Sequence, residues 1–120
     1  RILPGRLHNA VFDAMKSMGF QLKEAALKPS RRNAATGCVQ EFEFKPRSGS
    51  EFQHLDEAEL AFLPSSNGGL DLLIQRDTKA RGLGSMLSEM AGTDESHYLL
   101  TLRGNETADE LQKALSDVLR

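Results

Sequence analysis

The chain has 120 residues, 39% of them apolar and 27% charged, with a net charge of −2. That length suits one domain able to bury roughly two-thirds of its unfolded surface without a metal or disulfide to hold it. The missing basic excess argues against a general nucleic-acid binder, and a lone cysteine, Cys38, rules out an intrachain disulfide.

Residues 1–5 read as the end of a linker, with Pro4 and Gly5 as punctuation. The chain starts at Arg1 rather than Met, so it is expected to be a piece of a longer polypeptide. Leu7, Ala10, Val11, Ala14, Met15 and Met18 then recur at helical spacing. They predict an amphipathic helix that faces its own core and ends at Gly19, a natural left-handed cap. A strand is predicted over Phe20 to Lys28, although its alternation is imperfect. Pro29 to Gly37, with Arg31 and Arg32, reads as a solvated loop.

Val39 to Lys45 is the clearest strand: Phe42 and Phe44 point one way, Glu41, Glu43 and Lys45 the other. Pro46 should stop it. The segment Phe52 to Leu63 contains the next strand, with Leu60 and Phe62 opposite Glu59 and Ala61. Its start carries Asp56, Glu57 and Glu59, expected to be exposed there. Pro64 to Gly69 forms a hairpin-type loop whose Asn-Gly-Gly supplies positive φ values, so the strands on either side should pair antiparallel.

Leu70 to Gly92 organises the rest. Leu70, Leu72 and Ile74 alternate with Asp71, Leu73 and Gln75 over a predicted strand Leu70 to Gln75. A charged corner, Arg76 to Arg81, follows. Leu83, Met86, Leu87 and Met90 then predict a short helix closed by Gly92. His97 to Arg103 is the last predicted strand. Thr107 and Glu110 have the spacing of a capping box, and Ala108, Leu111, Leu115, Val118 and Leu119 mark a final helix. The expected fold is α+β: an antiparallel sheet of about five strands with N-terminal, internal and C-terminal helices packed on it, as a single domain over residues 1–120.

The residues supply little catalytic chemistry. His8, His54 and His97 are scattered, none at i, i+4 from another ligand, so no metal site is expected. Cys38 lacks a neighbouring histidine or second cysteine. Asp56, Glu57 and Glu59 would work as an acid–base pair only if one were desolvated; salt bridges to Lys79 and Arg81 are the plainer role. A hydrolase built on Asp56, Glu57 and a histidine is the weakest of three readings. The corner Arg76, Lys79 and Arg81, running into Gly82 and Gly84, sets cations and free backbone N–H groups at a predicted helix start. A solvated corner with local ion pairs is its plainer reading, and an anion or an acidic partner is the functional one. It is not a phosphate loop, because the glycine spacing and the Lys-Ser/Thr pair are missing. No cofactor is expected.

Four stretches carry a resemblance to a known family. They are Cys38-Val39-Gln40-Glu41-Phe42-Glu43-Phe44-Lys45-Pro46, Leu55-Asp56-Glu57-Ala58-Glu59-Leu60-Ala61-Phe62, the run from Gly69 to Gly84, and the shorter Met18-Gly19-Phe20 with Asp94-Glu95-Ser96. Together the chain resembles the C-terminal half of the bacterial sporulation-control protein M family, whose members are arrestin-like. It departs in having Thr78-Lys79 where the family has paired arginines, and Lys lacks the guanidinium fork. The family's N-terminal arrestin-like sandwich does not occur in this chain. The resemblance implies a non-enzymatic cytoplasmic regulator or scaffold acting through protein partners, among them that N-terminal domain; a second copy of this chain is a further candidate, because symmetric dimers are the commonest oligomers. The runner-up is an anion or phospholipid head-group binder using Arg76 to Arg81, in peripheral contact with a membrane.

Overall fold

The structure, a computed structural model, describes residues 4–78 and 97–120. Five strands form one sheet in chain order: β1 Phe20–Pro29, β2 Cys38–Pro46, β3 Leu55–Pro64, β4 Leu70–Thr78 and β5 His97–Leu102, each antiparallel to the next. Helix α1 spans Pro4–Ser17 and helix α2 spans Ala108–Leu119. The expected α+β class therefore holds, with an N-terminal and a C-terminal helix. The predicted helix Leu83 to Met90 lies outside the described residues.

The register shows how alternation becomes a core. Phe42 pairs with Leu60, Leu60 with Ile74 and Ile74 with Tyr98; one step along, Phe62 pairs with Leu72 and Leu72 with Leu100. These rows share one face, and both helices lie on it. Leu7, Val11 and Met15 of α1, with Met18 just past its end, join Leu111, Leu115 and Leu119 of α2 in the same buried cluster as Leu60, Phe62, Leu72 and Ile74. Phe12 of α1 sets its ring edge-on to Phe42 at 4.8 Å and near Phe62 at 5.8 Å, the offset geometry that aromatic quadrupoles favour.

Local signals set the element ends. Helix α1 begins at Pro4, where a missing N–H costs nothing. It closes at Gly19, with φ of 87° and its N–H donating to the Lys16 carbonyl. A Cβ at Gly19 would also stand 2.9 Å from Ser50 Oγ, which itself donates to the Met18 carbonyl at 3.1 Å. Gly19→Ala is therefore expected to cost about 1–2 kcal/mol. A chemical melt checks it; an unchanged midpoint would show that the turn relaxes freely. The predicted capping box is present: the Glu110 N–H donates to Thr107 Oγ1 at 3.1 Å, and the Thr107 N–H to Glu110 Oε1 at 3.0 Å.

Four details refine or overturn the expectation. Strand β4 runs to Thr78, so Arg76 is inside the strand and not at a corner beyond it. Phe52 precedes β3 and is buried in the loop, its ring 5.3 Å from that of Phe20. In the β3–β4 loop only Gly68 has positive φ; Gly69 is needed because a Cβ there would collide with the Leu102 carbonyl of β5. Strand β1 carries a bulge between Leu22 and Glu24, which explains its broken alternation: Leu22, opposite Phe44, shares the helix side with Ala25 and Leu27, and Glu24 takes the other side.

Candidate functional site

The second face of the sheet bears neither α1 nor α2. Register places on it Glu24, Ala26 and Lys28 of β1, Val39, Glu41 and Glu43 of β2, Glu57, Glu59, Ala61 and Leu63 of β3, Asp71, Leu73, Gln75 and Asp77 of β4, and His97 and Leu99 of β5. It divides in two. Val39, Ala61 and Leu63 form a small buried cluster with Leu73 packed against it, and Leu99 beside them is 59% exposed. The other end is acidic.

In that acidic end, oxygens of Glu43, Glu57 and Glu59 all lie within 4.8 Å of one another. Two strands bring them together, with Glu43 of β2 opposite Glu59 of β3 and Glu57 two residues before it, and β4 adds Asp77 opposite Glu57. Like charges so close cannot all ionise. The hydrogen bond from Glu57 to Glu43, then burial, then a hydrogen bond to Asp77 push the Glu57 carboxyl up to about 8. Glu57 thus holds a proton at neutral pH, and donating it holds Glu43 below its ordinary value. Burial, then the charges of Glu41, Asp77 and Glu43, raise Glu59. The same three oxygens are the set among the described residues with the chemistry for a hard cation, and the Glu57 proton already offsets part of their repulsion.

The linkage has a definite sign. Unfolded Glu57 releases its proton near 4.5, whereas the folded protein keeps it to about 8. The folded state binds the extra proton in between, so its stabilising effect is complete below 4.5 and is lost as pH rises through about 8. The denaturant midpoint is expected to fall over that range, and Glu57→Gln should flatten most of the decline. A glutamine variant with the wild-type slope would contradict the shared proton.

The residues singled out in sequence are separated by the fold. Asp56 is exposed as expected, but Glu57 and Glu59 are half-buried, because β2 and β4 flank them on both sides. Arg76 is opposite Ala58, on the helix side of the sheet. Its guanidinium donates to the Val118 carbonyl at 3.1 Å, to the Arg120 carbonyl, and to Tyr98 Oη at 2.9 Å, and lies over the Tyr98 ring at 5.0 Å. The Val118 and Arg120 carbonyls are at the end of α2 and carry its negative dipole end. His54 Nε2 meets the Leu119 carbonyl at 3.3 Å. Arg76 and His54 therefore fasten the C-terminal helix to the sheet. Lys79, Arg81, Gly82 and Gly84 lie outside the described residues, as do any salt bridges from Lys79 or Arg81 to the acidic strand. Among the described residues, Lys23 Nζ approaches Glu43 at 4.0 Å.

Sequence reasoning overlooked Glu43, Asp77, Leu73 and Leu99 as site residues. Alternation alone places each on the helix-free face; what it lacked was the register that sets Glu43 beside Glu59 and Leu73 beside Leu99.

A five-stranded antiparallel meander with both described helices on one side defines an α+β module with one packed and one helix-free face. A family model described as SpoOM protein matches residues 1–80, and the chain belongs to that family. It is 37% identical over 112 residues to the Sporulation-control protein spo0M of Bacillus subtilis (strain 168), covering 91% of this chain and 43% of that protein. A crystal structure of Spo0M from Bacillus subtilis matches with a TM-score of 0.66 and 32% identity, over 94% of this chain and 47% of that one. The family read from the residues is thus confirmed, and the chain spans less than half the length of these relatives. No helix among the described residues is long and apolar enough to cross a membrane.

Proposed function

We propose that this chain is a non-catalytic regulatory module in sporulation-type control, working in the cytoplasm by binding protein partners through the helix-free face of its sheet. The observation that carries this reading is Leu99, 59% exposed, next to half-buried Leu73 at the rim of the buried Val39, Ala61 and Leu63 cluster, on a face that neither described helix covers. Apolar surface rimmed by charge is where proteins bind proteins. The family supports a regulatory role. The chemistry supports binding over catalysis: Glu57 shares its proton with Glu43, and His54 is turned to the Leu119 carbonyl.

The test compares proteins captured by the wild-type chain, by a Leu73→Lys/Leu99→Lys chain, and by a Leu22→Lys control on β1, each shown to be folded by its melt. The face variant should lose a defined set of proteins that the control retains. Identical capture by all three chains would overturn the reading.

A further inference from the structure

We propose that β1 is a self-association edge: two copies join antiparallel along Glu24 to Lys28, with the two-fold axis passing at Ala26. The inference goes beyond the partner-binding reading, which concerns other strands and stands or falls separately.

Strand β1 is at the end of the sheet and pairs only with β2 among the described residues. Its outer edge therefore presents unpaired backbone N–H and C=O groups, a template for another strand. Glu24, Ala25, Leu27 and Lys28 are exposed and Ala26 is half-buried, and Leu27 is 68% exposed, an unusual exposure for a leucine on a ten-residue strand. The bulge between Leu22 and Glu24 at one end and Pro29 at the other break the regular edge, so pairing is confined to the five residues between them.

The charges on this stretch choose the occupant. Glu24, Ala26 and Lys28 share the helix-free face, since their partners Glu43, Glu41 and Val39 do. With the axis at Ala26, Glu24 faces Lys28 of the partner subunit, and Lys28 faces Glu24 of the partner subunit. On the opposite face Leu27 meets Ala25 of the partner subunit, and the reverse. Moving the axis one residue either way sets both charges against neutral side chains, which loses both pairs. The edge is thus complementary to itself in one register, as an isologous two-fold contact requires. Its occupant is a second copy of this chain.

The experiment measures mass by light scattering on size exclusion over a concentration series. The wild-type chain should form a dimer. Glu24→Lys alone and Lys28→Glu alone each set like charges opposite one another twice, and should weaken self-association by about tenfold or more. The Glu24→Lys/Lys28→Glu double variant restores opposite signs and should dimerise again. Most diagnostic, an equimolar mixture of the two single variants should give a heterodimer, because each supplies what the other lacks. Thermal melts confirm that every variant is folded. A wild-type chain that stays monomeric throughout, a dimer indifferent to both reversals, or single variants that fail to join each other would each overturn the proposal.

Discussion

Leu60→Ala is expected to lower stability by about 2–5 kcal/mol, while Leu99→Ala changes it by no more than about 0.5 kcal/mol. Both are strand leucines of the same size. Leu60 is wholly buried, in register between Phe42 and Ile74. Truncating it removes its transfer free energy and leaves a cavity among rings and helix side chains that cannot fully close. Leu99 is 59% exposed and has little to lose. Because a domain of this size has a net stability of only about 5–15 kcal/mol, the first variant would be visibly weakened. Urea midpoints of the two variants make the comparison. Equal losses would mean that Leu99 is covered within the fold, and the helix-free face would no longer be open to a partner.

Arg76→Ala should cost about 2–3 kcal/mol, the second large effect. The side chain gives hydrogen bonds to Val118, Arg120 and Tyr98 and stacks on the Tyr98 ring, so its loss leaves the end of α2 without its charged cap. Arg76→Lys keeps the charge but not the fork, and should recover only part of the loss. Tyr98→Phe, which removes one acceptor and keeps the ring, should cost less than either. The readout is the denaturant midpoint together with amide exchange in Ala108–Leu119, which should accelerate in Arg76→Ala before the sheet opens. Unchanged stability and exchange would show that the guanidinium serves a ligand and not the helix.

These two residues also mark the limits of reading the chain as a sequence. The faces were legible because a strand has a period of two: Phe42 and Phe44 against Glu41 and Glu43 is a pattern no other element produces. The ends of α1 and α2 were legible because Gly19 and the Thr107–Glu110 box solve local hydrogen-bond problems with local residues. Arg76 was misplaced because a charged residue normally ends a strand, whereas here α2, more than thirty positions away in the chain, supplies carbonyls that let β4 continue through it. The acidic set was half seen. Glu57 and Glu59 stand out in the sequence, but Glu43 and Asp77, which determine their protonation, reach them only through cross-strand register. Register is set by hairpin geometry and bulges such as the one in β1, and composition carries no trace of it.

The account rests on the helix-free face being where the protein acts. The most direct measurement replaces Leu73 and Leu99 with lysine in the full-length protein, in the organism that carries its gene, and compares that strain with a deletion of the gene. The account predicts the deletion phenotype at wild-type abundance of a folded variant. A variant strain that behaves as wild type would place the function on another surface.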